Sequence, residues 1–149
     1  MARPANTSAV DSGEEPEVDV VSLRVRMGPA DARYAGGLID GAALTGMFGD
    51  LATELAIRLD GDEGLFRAYE AIEFLAPVRV GDYVEARARV LDVGRTSRRI
   101  EFEAHKQISA APDHGPTAAA VLDEPVLVAR AIGTVVIPTE RQRAPAARA

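Results

Sequence analysis

The chain has 149 residues, 47% hydrophobic and 27% charged, with a formal net charge of −6 and no cysteine. That length supports one domain with its own core; the lack of cysteine excludes disulfides, thiolate catalysis and cysteine-ligated zinc, and a pI of about 4.9 argues against general nucleic-acid binding, which needs a basic surface. No stretch approaches the ~20 apolar residues of a membrane helix and the N-terminus lacks the apolar core of a secretory signal, so a reducing cytoplasm is the expected compartment and no membrane partner is expected.

Residues 1–17 are polar, small and proline-containing, and are expected to form a disordered tail. The run VDVVSLRVRM, 18–27, reads as a first strand. A glycine-rich turn then leads into one long helix, 41–59, whose Leu44, Met47, Phe48, Leu51 and Leu55 recur at spacings of three and four. Asp40 stands at the N-cap position, where a carboxylate accepts from an early helical N–H. Asp50 and Glu54 are four apart and so share one helix face, one turn from each other. A glycine-rich approach to a helix, followed by such a pair, suits an acyl carbonyl and acid–base chemistry. DGDEG, 60–64, ends the helix.

Strand-like runs follow. Residues 64–78 hold a β-rich run that Pro77 closes, or in which it sits at a sheet edge. Residues 80–94 open at a turn fixed by Asp82 and alternate Val84, Ala86, Ala88 and Val90 with Glu85, Arg87 and Arg89. Residues 94–109 alternate Ile100, Phe102 and Ala104 with Glu101, Glu103 and His105. A Pro/Gly/Ala-rich connection, 110–123, precedes a last strand, 125–137, and 138–149 reads as a flexible C-terminal tail. One helix and one antiparallel sheet make an α+β layer arrangement over 18–137, with a meander as the simplest pairing. The arginines at 87, 89, 95, 98 and 99 read as a solvated strand face, or as a patch for a phosphorylated small molecule. The two histidines, His105 and His114, lie outside the helix, and neither a Ser-His-Asp set nor a zinc ligand set is apparent.

Five blocks carry a family resemblance: DARYAGGLIDG (31–41), FGDLATEL (48–55), LDGDEGLF (59–66), IEFLAPVRVGDYVE (72–85) and PVLVARAIG (125–133). In these the chain resembles the coenzyme A thioester ammonia lyases of the 3-aminobutyryl-CoA and β-alanyl-CoA type. The resemblance implies a hotdog fold, a long central helix wrapped by an antiparallel sheet. It implies reversible elimination of ammonia from a 3-aminoacyl-CoA to the 2-enoyl-CoA. CoA is then a handle on the substrate, with no metal or organic cofactor. It also implies a homodimer at least, and a homohexamer built as a trimer of dimers, with sites at the subunit interface.

Roles follow for particular residues. Glu54 or Asp50 would be the general base, burial and mutual repulsion moving one of them towards neutrality. A carboxylate pairs with a substrate ammonium that an imidazolium would repel. Tyr34 would hydrogen-bond the substrate or orient the base. Backbone N–H groups near Gly41 and Ala42 would hold the thioester oxygen, with Gly36 and Gly37 allowing close approach. Asp40 would contact the substrate or simply cap the helix. Phe48 would line an acyl tunnel, or be core. Glu73 would wall the site, and Arg130 would reach a CoA phosphate or form a structural salt bridge. The family pattern carries amide side chains near the positions of Gly37, Asp40 and Gly46 and a bulkier residue at Ala43, so the pocket here is expected to be roomier or differently polar and the acyl chain stays open. Two other functions remain: a hotdog acyl-CoA thioesterase, and a non-catalytic acyl-CoA-binding module.

Overall fold

The computed structural model describes residues 20–143; the expected N-terminal tail and residues 144–149 lie outside the described residues. Five strands and one long helix are present: β1 (Val20–Arg26), α1 (Gly41–Asp60), β2 (Leu65–Phe74), β3 (Tyr83–Val93), β4 (Ser97–Ala110) and β5 (Ala119–Val136). The strands form one sheet in the order β1-β3-β4-β5-β2, with every pairing antiparallel. The helix lies across one face of that sheet and buries the row foreseen from its periodicity: Leu44, Met47, Phe48, Leu51 and Leu55 are all within 5% of full burial. This is the hotdog arrangement.

The meander holds for β3, β4 and β5 but not for β2. That strand crosses to the far edge and pairs with β5, while β1 takes the other edge beside β3. The last strand also starts earlier than expected, at Ala119 rather than 125. Its pairing with β4 jumps from Lys106↔Val126 to Ile108↔Val121, so residues 122–125 bulge out of the ladder. Pro125 sits in that bulge, where its missing N–H costs no ladder bond, and this hid the strand's first half.

Two further bulges shape β2. Its register with β5 shifts between Phe66 and Ala68 and again between Tyr69 and Ala71. Each extra residue reverses the side-chain alternation. Phe66, Tyr69, Ile72 and Phe74 therefore all face the helix side, opposite the inward Val135, Gly133, Ala131 and Ala129. Phe66 and Tyr69 join Phe48 and Phe102 in one aromatic cluster, with Phe48 and Phe102 centroids 5.1 Å apart and Phe66 and Tyr69 centroids 4.3 Å apart. Burial raises the Tyr69 phenol above its ordinary pKa.

The helix ends at a buried ion pair. Gly61 takes the left-handed conformation (φ 69°) and its N–H donates to the Ile57 carbonyl. Asp60, the last helical residue, receives Arg98 Nε and Nη2, each at 2.9 Å, and Arg98 Nη1 also donates to the carbonyls of Gly94 and Ser97. Arg98 is thus not part of a solvated strand face; it is 4% exposed and pins the helix end to the β3–β4 turn. Residues 138–143, read from sequence as the start of a flexible tail, are bonded to the same corner: the Arg143 N–H donates to the Asp60 carbonyl (2.8 Å) and Gln142 Nε2 to the carbonyls of Arg95 and Ile137. Three other arginines of the basic run, Arg87, Arg89 and Arg99, do lie away from this corner. On the sheet face opposite the helix, Arg24 and Arg87 pair with Glu85, Arg89 with Glu101 and Arg99 with Glu70.

Candidate active site at the helix N-terminus

The segment before the helix is held open by two glycines. Gly36 and Gly37 both have positive φ (74° and 73°), a conformation that side chains rarely adopt. The chain can then run antiparallel to the segment that follows β2. The Ile39 N–H donates to the Val78 carbonyl (2.8 Å), and the Val80 N–H to the Gly37 carbonyl (2.9 Å). Asp82 fixes the turn below, as expected: its Oδ2 accepts the Arg79 N–H at 2.8 Å, and it is 1% exposed. Its Oδ1 further accepts the Ala110 N–H, and Lys106 Nζ lies 3.3 Å from Oδ2, which ties the turn to β4.

Asp40 caps the helix, its Oδ1 accepting the Ala43 N–H at 3.1 Å. Arg33 Nε lies 3.5 Å from its other oxygen. Helix geometry leaves the first N–H groups without intrahelical acceptors. With Ala43 satisfied by Asp40, those of Gly41 and Ala42 remain for a ligand. They open onto a cavity of about 670 Å³ lined by Tyr34, Asp40, Gly41 and Ala42 on one side and Phe74, Leu75 and Val78 on the other, with Leu44 and Thr45 along the helix. A cavity of that size suits a small acyl group and part of its carrier. Two N–H donors aligned with the positive end of a helix dipole favour an oxygen that gains negative charge.

A family profile described as the Thioesterase superfamily matches residues 36–110. The chain is 50% identical over 121 residues to the 3-aminobutyryl-CoA ammonia lyase of Acetoanaerobium sticklandii, covering 81% of this chain and 96% of that protein. It belongs to the hotdog-fold CoA-thioester ammonia lyase family. In structure it resembles the β-alanyl-CoA:ammonia lyase of Clostridium propionicum, with a TM-score of 0.83, 37% identity, and coverage of 87% of this chain and 92% of that one. A hexameric hotdog fold thioesterase of Campylobacter jejuni shares the fold, with a TM-score of 0.62 at 22% identity, covering 83% of this chain and 86% of that one. An uncharacterized acyl-CoA thioester hydrolase of Zymomonas mobilis is 33% identical over 108 residues, covering 72% of this chain and 68% of that protein.

Within this ammonia lyase family member, the cavity gathers Tyr34, Asp40, Gly41 and Ala42, with Gly36 and Gly37 shaping the turn beside it. The other residues expected at the site lie elsewhere. Phe48 is fully buried and stacked on Phe102, so it is core and lines no acyl tunnel. Glu73 and Arg130 face each other across β2 and β5 as an ion pair on the sheet face away from the helix, so neither reaches this cavity. The Glu73 carboxylate raises the pKa of Arg130 above its ordinary value. The alternation of β2 is the reason: the strand turns Phe74 inward and its neighbour Glu73 outward.

Asp50 and Glu54 do not line the cavity either. Asp50 is exposed, and Glu54 receives Arg58 Nε at 2.7 Å with its side chain 43% exposed. Within one chain neither carboxylate is buried. Eight residues separate Ala42 from Asp50, about 12 Å along the axis at 1.5 Å per residue. Yet Ala42, Gly46, Asp50 and Glu54 form one row, each a turn from the next, on the face of α1 turned from its own sheet.

Phe74, Leu75 and Thr45 also line the cavity, though no motif marks them for it. Phe74 and Leu75 lie inside the IEFLAPV block and are 54% and 49% exposed, a sign of a role outside the core that composition does not show.

Proposed function

We propose that this protein catalyses the reversible elimination of ammonia from a 3-aminoacyl-CoA of the 3-aminobutyryl or β-alanyl kind, giving the 2-enoyl-CoA. The protein is then a carbon–nitrogen lyase. The observation that carries this is the 50% identity to a 3-aminobutyryl-CoA ammonia lyase across 96% of that protein. The helix N-terminus supports it chemically. The thioester oxygen takes the N–H groups of Gly41 and Ala42, which acidifies the C2 hydrogen. A carboxylate removes that proton, the electron pair forms the C2–C3 double bond, and the C3–N bond breaks with its electrons on nitrogen. A substrate ammonium thus leaves as neutral ammonia and the proton stays on the carboxylate. Tyr34, at the cavity rim, orients the amine or the base. The reaction is a proton transfer coupled to departure of a neutral amine, so it requires neither a metal nor an organic cofactor beyond the CoA of the substrate. Acyl-CoA chemistry fits a cytoplasmic enzyme, and no helix among the described residues is long and apolar enough to cross a membrane.

The row on α1 supports a site shared between two copies. If two helices cross antiparallel about a two-fold axis near Gly46, Ala42 of one copy faces Asp50 of the other, and Glu54 follows one turn on. Nothing lies within 4 Å of a Cβ built on Gly46 or Gly49, so a second helix has room to approach. A homodimer is the smallest complete enzyme on this reading, and a trimer of such dimers is the proposed assembly.

The superfamily match and the Zymomonas relative favour one other reading, acyl-CoA hydrolysis, in which the same amides and carboxylate activate water. Incubation with crotonyl-CoA and ammonia separates the two. Loss of enoyl absorbance without free thiol is the lyase outcome. Release of free CoA is the thioesterase outcome, and binding without either is that of an acyl-CoA-binding module. Dialysis against EDTA is expected to leave the lyase rate unchanged.

A further inference from the structure

We propose that the ring of Phe74 is the wall that selects the acyl group, an inference that rests on the thioester lying at the helix N-terminus. Phe74 is the last residue of β2, and the second bulge of that strand, at Glu70, is what turns its side chain to the helix side. The ring lies so close to Gly41 that a Cβ there would stand 2.6, 2.9 and 3.0 Å from three of its carbons. The residue is nonetheless 54% exposed, because the rest of its surface borders the cavity.

Of the chain's three tyrosines and four phenylalanines, only Tyr34 and Phe74 line this cavity. Phe48, Phe66, Phe102 and Tyr69 are committed to the aromatic core. Tyr34 sits in the turn next to the two left-handed glycines, whereas Phe74 is held by strand pairing to Ala129. On the helix side of the cavity Gly41, Ala42 and Thr45 are small, and Leu44 is only 4% exposed because its side chain belongs to the core. The limit on chain length falls to the Phe74 ring, which covers the residue whose N–H donates to the thioester oxygen and fills the space next to it. It keeps water from that donor and crowds any acyl chain extending past C3.

The test compares wild type with Phe74→Ala and Phe74→Leu, using 2-enoyl-CoA esters of four, six and eight carbons with ammonia. In Phe74→Ala the ratio of kcat/KM for the eight-carbon ester over the four-carbon ester is expected to rise about tenfold or more, the scale at which an apolar pocket reads methylenes. Phe74→Leu is expected to shift it less, in the same direction. Both variants should melt close to wild type, since the side chain is half exposed. A ratio within twofold of wild type in both folded variants, or a parallel fall for all chain lengths, overturns the proposal. If wild type releases CoA instead of adding ammonia, the lyase reading has failed; the same ratio is then read from hydrolysis of butyryl- and octanoyl-CoA. If it turns over neither, calorimetric Kd values for those two esters give the ratio, so the wall is judged separately from the reaction.

Discussion

A methyl group on Gly41 would press on a ring, not on backbone, and this makes its consequences separable. The ring of Phe74 is the end of a movable side chain, and Gly41 has no positive φ, so alanine is conformationally allowed there. Alanine also favours the helix over glycine by about 0.5–1 kcal/mol. Gly41→Ala is therefore expected to keep or slightly raise the melting temperature while lowering kcat/KM by about tenfold or more, because a small displacement at the carbonyl site misaligns the reacting atoms. Differential scanning fluorimetry and initial rates on one preparation check both halves; a fall in stability that tracks the fall in rate contradicts the account. The carboxylates are read by a different split. At least one of Asp50→Asn and Glu54→Gln is expected to lose about 10²–10⁴ in kcat, the usual worth of a general base, while CoA-ester binding persists. Full activity in both variants removes the α1 carboxylates from the mechanism.

The helix depends on its two ends in different ways, and both ends show what a sequence does and does not display. Its start was legible because capping is local: Asp40, one residue before the apolar rhythm, accepts the Ala43 N–H. Its end was legible as a break at DGDEG, but not as an ion pair, because Asp60 and Arg98 are 38 residues apart and meet only through the sheet. The charge rows of β3 and β4 gave Arg98 the look of a surface residue until register turned it inward. The same limit hid Phe74: alternation places either Glu73 or Phe74 towards the helix, and the sequence shows neither which face β2 starts on nor the two bulges whose reversals cancel between Phe66 and Phe74, so a pocket wall was assigned to the wrong neighbour. The crossover of β2 to the far edge was also hidden, since chain order favours pairing with β3. The Asp60–Arg98 pair carries its own expectation. Asp60→Ala leaves a buried guanidinium with only the carbonyls of Gly94 and Ser97, and is expected to cost about 3–5 kcal/mol in urea unfolding. The double variant Asp60→Leu/Arg98→Met, which leaves no buried charge, is expected to recover most of that loss. If the single variant costs no more than the double, the pair is not holding the helix end.

The face of the sheet away from the helix governs how the whole molecule responds to acid. Arg87 and then Arg24 hold the Glu85 carboxylate below its ordinary value of 4.5, and Arg99 does the same for Glu70. A carboxylate whose folded pKa is depressed contributes stability above the unfolded value and loses it as pH falls through the folded one. The melting temperature is therefore expected to keep the full contribution of these pairs, unchanged, between pH 7 and about pH 5, and to fall below pH 4.5 in a limb that Arg87→Met flattens. The opposite face, with the row from Ala42 to Glu54, bears on assembly. If the amides of one copy and the carboxylates of another make each site, two inactive variants complement. Gly41→Val destroys the amide side and Asp50→Asn/Glu54→Gln the carboxylate side. In a mixed dimer one site carries both lesions and the other carries none. Random pairing makes half the dimers mixed, each with one of two sites intact, so co-expressed variants should recover about a quarter of wild-type activity. The activity should co-purify with dimers bearing both affinity tags. If both groups act within one chain, every site keeps a lesion and mixing restores nothing.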